Sequence, residues 1–468
     1  MSMHRNKGEE ALFEELRTCG QEHVLRFWPD LDEAGKDTLV SDIRSLDFDL
    51  IRRVQSLLRS GDIRKRTVFP PPVIPLAVDS KARAQAEEAE AAGEGLIAGG
   101  KTAVFTAAGG QSSRLGLKGP KGVYPVTPVR KKSLFQVHAE KILGLQKRYG
   151  VSIPWMIMTS RTNHGQTLRY FEENGYFGLE PGFVRFIEQS MNPAFDNEGR
   201  LFLREKNGLF MSPNGHGGTM QALGSPRISA WLGEIGVEQV FYFQVDNVLV
   251  NVLDPLFMGY HALENCDMSS KYVRIREAGE KLGIFVLEDG KMAVVEYTEL
   301  DTMNIPEPHR REDLFAGNIA IHAISRAFAG KMARAGELPL HLARKAIPHV
   351  DENGMVARPA AQNGYKVETF IFDALLKVRN TVLVETDRFA EFSPLKNKTG
   401  PESPETVYRD QVLLFAGWLD DAGIEVQRDG DGLPVHAIEV SPLYALDKNT
   451  FIRKTNRDTA IHGETYFG

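Results

Sequence analysis

Arg114 and Lys121 stand seven residues apart in "AGGQSSRLGLKGPKG" (108–122), with Gly109 and Gly110 ahead of them and Gly116 and Gly119 between. Two cations on one flexible loop suit a polyphosphate. The paired glycines let peptide N–H groups approach phosphate oxygens, and the side chains neutralise adjacent phosphates. Pro120 fixes the backbone just before Lys121. The apolar run "TAVFTAA" (102–108) precedes the loop. The glycines therefore fall at the carboxyl end of a strand, where open α/β sheets bind ligands. A solvated basic turn is the plain alternative. Nearby, "GLIAGGKT" (95–102) matches G-x-x-x-x-G-K-[ST] in the wrong context, with a helix before it and a strand after it. No helix N-terminus would then face the phosphates, so it reads as a flexible entry to the strand. The loop is not G-x-G-x-x-G either, which counts against a nicotinamide-dependent oxidoreductase.

Asp246 closes the apolar strand "VFYFQVD" (240–246), a poor place for a carboxylate to pack and a good one for a site. Triphosphate chemistry normally needs Mg²⁺, which takes one or two carboxylates, so Asp246 is either its ligand or a helix cap. Asp254, before a proline, reads as a cap. Gly215-His216-Gly217-Gly218 is a second glycine loop, ahead of a helix-like "TMQALG".

The elements that must position these residues change character along the chain. Residues 8–60 carry apolar positions at helical spacing (Phe13, Leu16, Leu39, Val40, Ile43, Leu46, Leu50), and "FPPPVIP" (69–75) ends that region. An alanine- and charge-rich stretch, "SKARAQAEEAEAAGEG", predicts a solvated helix. Strands are predicted at 102–108, 153–160, 182–188, 240–246 and 317–324, with Asp289-Gly290 as a hairpin turn within 268–297. The alternation with helices implies a largely parallel sheet covered on both faces. Three parts are expected: an N-terminal helical region (1–95), a central domain (96–378) and a C-terminal domain (379–468).

Composition excludes several classes. With 42% hydrophobic and 25% charged residues the chain is an ordinary globular protein, and a net charge of −6 argues against a nucleic-acid partner. Two distant cysteines make neither a disulfide framework nor a metal cluster, which points to the reducing cytoplasm. The start lacks the apolar stretch of a secretory signal, and no apolar run is long enough to span a membrane. No interface pattern is evident, and a monomer is the expectation.

"GGQSSRLGLKGPKG" resembles the nucleotide loop of the UDP-sugar pyrophosphorylases, particularly the eukaryotic-type N-acetylglucosamine-1-phosphate uridylyltransferases. "GQEHVLRFWPDLDEA", "SPNGHGGTMQAL", "YFQVDNVLVNVLDPLFMGYH", "AVVEYTEL", "FAGNIAIH", "ETFIFDAL" and "FSPLKN" follow in that family's order. The resemblance implies an α/β, Rossmann-like nucleotidyltransferase (GT-A-like) with a central mixed sheet flanked by helices, an N-terminal helical region and a small C-terminal α+β domain. It implies nucleotide contacts from Ala107, Ala108, Gly109, Gly110 and Gly215, with Gln189 reading the uracil edge. It implies sugar contacts from His216, Glu296, Tyr297, Asn318 and Lys366, charge neutralisation by Arg114, Lys121 and Lys396, and Mg²⁺ on Asp246. Phe370, Phe372 and Asp373 read as helix residues without chemistry.

The reaction so implied joins UTP and a sugar-1-phosphate to give a UDP-sugar and pyrophosphate. N-acetylglucosamine-1-phosphate is the expected sugar, from "VVEYTE" and "AGNI". His216 stands where the N-acetylhexosamine enzymes usually carry asparagine, which keeps a UDP-glucose or broad-specificity enzyme open. A non-catalytic UDP-sugar-binding regulator is the reading from another class.

Overall fold

The computed structural model describes residues 7–60, 66–116, 118–277, 280–297, 299–300, 303–335 and 338–468. Among them, ten strands pair into one sheet. These are β1 (Val68–Phe69), β2 (Thr102–Ala107), β3 (Trp155–Thr159), β4 (Val184–Glu188), β5 (Gln239–Gln244), β6 (Met268–Arg274), β7 (Ile284–Glu288), β8 (Lys291–Val295), β9 (Ala316–Ser325) and β10 (Leu383–Glu385). The main path runs β1-β7-β9-β5-β2-β3-β4; β6 pairs with β9 and β10, and β8 with β7.

The sheet is mixed rather than largely parallel. Parallel pairing joins β5, β2, β3 and β4, and separately β6 with β10; the other pairs are antiparallel. The reversal comes from two connections. Asp289 and Gly290, both at positive φ (50° and 73°), fold β7 tightly onto β8, and the long β9 returns antiparallel to both β5 and β6. The edge strand β1, paired with β7, leads into the proline stretch, well after the last N-terminal helix ends at Ser60.

β2 and β3 are buried along nearly their whole length, which is why they read as unbroken apolar runs instead of alternating ones. In register, Gln244 lies opposite Ala107, Ala107 opposite Met158, and Thr159 opposite Glu188. The carboxyl ends of four neighbouring strands are therefore level, and the residues after each strand meet at one edge.

Close contacts divide the chain into two compact units that cut across the three sequential parts expected. One gathers the described residues of Met1–Lys65, Ser190–Gly218 and Leu338–Ile371; the other holds those of Arg66–Gln189, Thr219–Glu337 and Phe372–Gly468. The reason is apolar burial. The N-terminal helices Lys7–Thr18, Glu33–Arg44 and Phe48–Ser60 leave a face that their own residues do not fill. Phe195, Leu201, Leu203, Leu209, Val350 and Val367 complete that core around Phe13, Leu16, Leu39, Ile43, Ile51 and Val54.

In the larger unit, Val384, Leu395 and Val407 pack into the central core, while residues 415–467 keep a core of their own (Ala416, Leu419, Ile438, Val440, Phe451). It is built on the helix Pro404–Asp421, opened by a Ser403–Thr406 capping box, and on a parallel pair, Ile438–Val440 with Thr465–Phe467. No helix among the described residues is long and apolar enough to cross a membrane.

Two buried histidines in this unit are held neutral. His138 donates from Nε2 to the Val245 carbonyl (2.9 Å), and burial, with a smaller push from Lys141, lowers its pKa to about 3. His261 sits between Ser269 Oγ (2.8 Å) and Gln239 Oε1 (3.0 Å), and burial lowers its pKa to about 4. The unfolded chain takes up these protons as pH falls through about 6.5, while the folded chain does not, so stability is lost on the acid side. The melting temperature is expected to fall steadily between about pH 7 and about pH 5; a flat profile there contradicts the assignment.

Candidate functional site

Four strand ends build the site in the larger unit. After β2, residues 108–122 fold back on themselves: Ser112 N–H donates to the Gly119 carbonyl (2.9 Å) and Lys121 N–H to the Gly110 carbonyl (3.0 Å). Gly119, at φ 121°, makes the reversal that a side chain would strain. Ala107 ends β2, and the buried Ala108 bonds through its N–H to Met158 of β3 (2.7 Å). Leu117 of this loop lies outside the described residues.

Asn163, which sequence reasoning passed over, pins the loop from below. Fully buried after β3, it donates from Nδ2 to the carbonyls of Ala108 (2.9 Å) and Gly110 (3.3 Å). Its Oδ1 accepts from Ser160 N–H (2.8 Å), and Ser160 Oγ donates to the Gly109 carbonyl (2.9 Å). The carbonyls of Ala108, Gly109 and Gly110 are thus all satisfied from one side. The only signal in the sequence was the polar cluster "SRTNH" between a strand and a helix.

Gln189 follows β4 directly, and its amide packs on the glycine loop. A Cβ on Gly109 would fall 2.5 Å from Gln189 Oε1, so glycine is what allows the approach. The Gln189 amide can both donate and accept.

Two of the loop's cations, Lys121 and Arg114, are in different states. Lys121 Nζ pairs with Asp246 Oδ2 at 3.1 Å, and both side chains are largely buried. Arg114, in the short turn Ser113–Leu115, is exposed and has no ion pair or side-chain hydrogen bond among the described residues. Asp246 sits two residues beyond β5, and its carbonyl accepts from Leu395 N–H (2.9 Å). That contact places Lys396 one residue from the Asp246 backbone; its ammonium pairs with Glu402 at 3.0 Å. Lys121, Asp246, Gln189 and the Lys396 segment therefore share one edge.

No group of three or more His, Cys, Asp or Glu side chains arranged for a metal occurs among the described residues. What the edge offers is the carboxylate of Asp246 beside the glycine loop. That donor set fits Mg²⁺ filling its other positions from phosphate oxygens and water, and not an ion caged by protein alone. Asp254 caps the helix Pro255–Leu263 as expected, accepting from Leu256 N–H (3.3 Å). It also bonds the buried Lys271 at 2.6 Å, a role its position before a proline did not announce.

Glu296, Tyr297 and Asn318 lie at the β8 end and on β9. Asn318 N–H donates to the Gly283 carbonyl (2.8 Å), and Glu296 Oε1 lies 3.6 Å from where a Gly283 Cβ would stand, so the two converge on Gly283. Asn318 Oδ1 accepts from Ala320 N–H (2.9 Å), bracing Ala320 at φ 55° inside the strand. Tyr297 is half-buried against the core of the β7–β8 hairpin, with Ile284, Val295 and Leu300. Thr298 of "VVEYTE" lies outside the described residues.

Gly215, His216 and Lys366 belong to the smaller unit. Thr369 zips the glycine loop closed: its N–H donates to the Asn214 carbonyl (2.7 Å), and its carbonyl accepts from Gly217 N–H (2.8 Å). His216 Nδ1 accepts from Ile371 N–H (3.1 Å), which leaves the ring proton on Nε2. Burial, with a smaller repulsion from His341, lowers the His216 pKa to about 4. Phe370 is not helix core. It precedes the helical turn Ile371–Lys377 and lies with its ring against those of His216 (5.2 Å) and His341 (4.3 Å). Lys366, on the strand Gly364–Glu368, holds its ammonium over the Phe210 ring at 5.6 Å.

The chain matches known proteins over most of its length. Residues 62–414 match the family described as UTP–glucose-1-phosphate uridylyltransferase. The chain is 34% identical over 462 residues to UDP-N-acetylhexosamine pyrophosphorylase-like protein 1 of Mus musculus, covering 92% of this chain and 91% of that one. It is 33% identical over 436 residues to the UDP-N-acetylglucosamine pyrophosphorylase of Saccharomyces cerevisiae, with 88% and 91% covered. The crystal structure of the Trypanosoma brucei uridine diphosphate N-acetylglucosamine pyrophosphorylase, in complex with inhibitor, superposes with a TM-score of 0.80 at 27% identity. The match covers 97% of this chain and 95% of that one.

Proposed function

Since this chain belongs to the UTP–glucose-1-phosphate uridylyltransferase family, we propose that it joins UTP and N-acetylglucosamine-1-phosphate to give UDP-N-acetylglucosamine and pyrophosphate. It acts as a monomer in the cytosol, where its two buried, unpaired cysteines stay reduced. The observation that carries the chemistry is the meeting of Lys121, Asp246, Gln189 and the Lys396 segment at one edge of the sheet. The sugar follows from the relatives named for N-acetylhexosamine and N-acetylglucosamine, which match over nearly the whole chain.

The sugar phosphate oxygen forms a bond to the α-phosphorus of UTP as the bond to the pyrophosphate oxygen breaks opposite. The attacking phosphate is already ionised, so neither a general base nor a covalent nucleophile is needed. What the residues supply is position and charge. Gln189 and the glycine loop hold the base, Lys121 enters already oriented by Asp246, Arg114 closes on the leaving phosphates, and Lys396 neutralises the incoming one. Asp246 would hold Mg²⁺, which when bound neutralises phosphate charge. His216, neutral with its proton on Nε2, is a fixed donor for a sugar oxygen, as an asparagine amide would be.

Pyrophosphate release on mixing UTP, Mg²⁺ and each of N-acetylglucosamine-, N-acetylgalactosamine-, glucose- and galactose-1-phosphate tests this. Fastest release with N-acetylglucosamine-1-phosphate is expected. Fastest release with glucose-1-phosphate overturns the sugar, and release with none overturns the enzyme in favour of a UDP-sugar-binding regulator.

A further inference from the structure

The turn bearing Asp246 and the segment bearing Lys396 are stitched together by a residue with no assigned part in the chemistry. Asn247 is 3% exposed. Its Nδ2 donates to the Glu391 carbonyl (2.8 Å), its Oδ1 accepts from Ser393 N–H (3.0 Å), and its backbone bridges to Pro394. With Leu395 N–H on the Asp246 carbonyl, this makes a short ladder running from residue 391 to 395, one residue short of Lys396.

Both sides of the ladder are braced. Glu391 receives Lys271 Nζ on both oxygens (2.7 and 2.6 Å), Thr386 Oγ1 on Oε2, and Asn251 N–H on Oε1 (3.2 Å). On the other side, Lys141 Nζ clamps the carbonyls of Val248 (2.6 Å) and Val250 (2.7 Å), directly beyond the Asp246 turn. A buried asparagine with both amide ends used, between two braced segments, fixes their spacing more than it adds apolar burial.

We propose that Asn247 is a positioning residue that fixes the separation of the Asp246 carboxylate from the Lys396 ammonium. It would thereby set the alignment of sugar phosphate and α-phosphorus before either substrate binds. The inference rests on the proposed roles of Asp246 and Lys396. Misplacing reacting groups by about 1 Å costs on the order of 10²-fold in rate. Asn247→Ala is therefore expected to lower kcat by about 10- to 100-fold and to raise the Mg²⁺ concentration needed for half activity. UTP affinity measured without Mg²⁺, which reads the glycine loop and Gln189, should stay unchanged. Asn247→Asp keeps the acceptor for Ser393 but sets oxygen against the Glu391 carbonyl; it should shift kcat in the same direction, and it carries the test if the alanine variant does not fold.

Leu419→Ala, in the fully buried C-terminal core and nine residues along its helix from Asp410, which accepts from Ser393 Oγ (2.8 Å), supplies the loss of stability without the loss of spacing, and its kcat should stay near that of the parent. The inference falls if a folded Asn247 variant keeps kcat within about threefold, or if its losses equal those of Leu419→Ala. Lys396→Ala is assayed alongside. If that variant keeps full turnover, the role of Lys396 itself is wrong; if it loses turnover while the Asn247 variants do not, only the positioning inference is wrong.

Discussion

Arg114→Ala should lower kcat by about 10²–10³-fold, the scale for removing one preorganised group that stabilises charge in the transition state. Of the cations assigned to the site, Arg114 gives the cleanest measurement. Lys121 and Lys396 have carboxylate partners at 3.1 and 3.0 Å, so truncating either also leaves a carboxylate unpaired. Arg114 is exposed and has no such partner among the described residues. Its removal should therefore leave the melting temperature where it was, and the whole effect should appear in turnover. Steady-state kinetics beside a thermal melt checks both halves. Near-normal turnover would remove Arg114 from the mechanism, and a large fall in melting temperature would show that it was holding the loop.

The largest effect on stability is expected at Lys271. This side chain is 1% exposed and ends between Asp254 (2.6 Å) and Glu391 (2.6 Å), which are 16% and 4% exposed. Burial by itself would lower its pKa, but the two carboxylates outweigh burial and hold the pKa above the ordinary lysine value. The ammonium is therefore charged wherever the protein is folded at neutral pH. Lys271→Ala leaves two carboxylates facing each other with no counter-charge. Breaking a buried pair by removing one partner costs about 3–5 kcal/mol, several times the worth of an exposed pair. Denaturant unfolding of the variant should show a loss of that order. A loss under about 1 kcal/mol, the ordinary size for a single substitution, would mean the charges are relieved by water or rearrangement. Because Glu391 also braces the Asp246–Lys396 ladder, turnover should fall in the same variant.

Much of the candidate site was legible because its residues are out of place for packing. Glycines at a strand end, an aspartate closing an apolar strand and two cations on one loop have no structural use that suits them better. The parallel core was legible for the opposite reason: the middles of β2, β3 and β5 are apolar runs, and a strand buried on both faces reads plainly. What escaped the sequence were residues that work through hydrogen bonds to backbone. Asn163 and Asn247 look like ordinary turn residues, and only their three-dimensional partners show that each holds a segment in place. Lys271 sits in "KYVRI", where a lysine reads as solvent-facing, and its burial depends on carboxylates 17 residues before it and 120 after it. The smaller unit was hidden because it is drawn from three separated segments, and of its strands only His341–Lys345 and Gly364–Glu368 reach five residues, while Phe195–Asp196, Leu203–Glu205 and Gly208–Leu209 have two or three. Alternation needs about four residues to be recognised.

The discontinuity of the smaller unit bears on how the protein is made. Its core joins Phe13 and Leu39 to Phe195 and then to Val367. During synthesis the three N-terminal helices leave the ribosome long before the last side chain that covers them, so their apolar faces must wait while some three hundred further residues are added. A fragment that stops before that segment would leave those faces bare, so the helices are not a domain that can be cut away or borrowed. Their completion belongs to the late stage of translation, after the glycine loop, Gln189 and Asp246 have emerged and before Lys396 has.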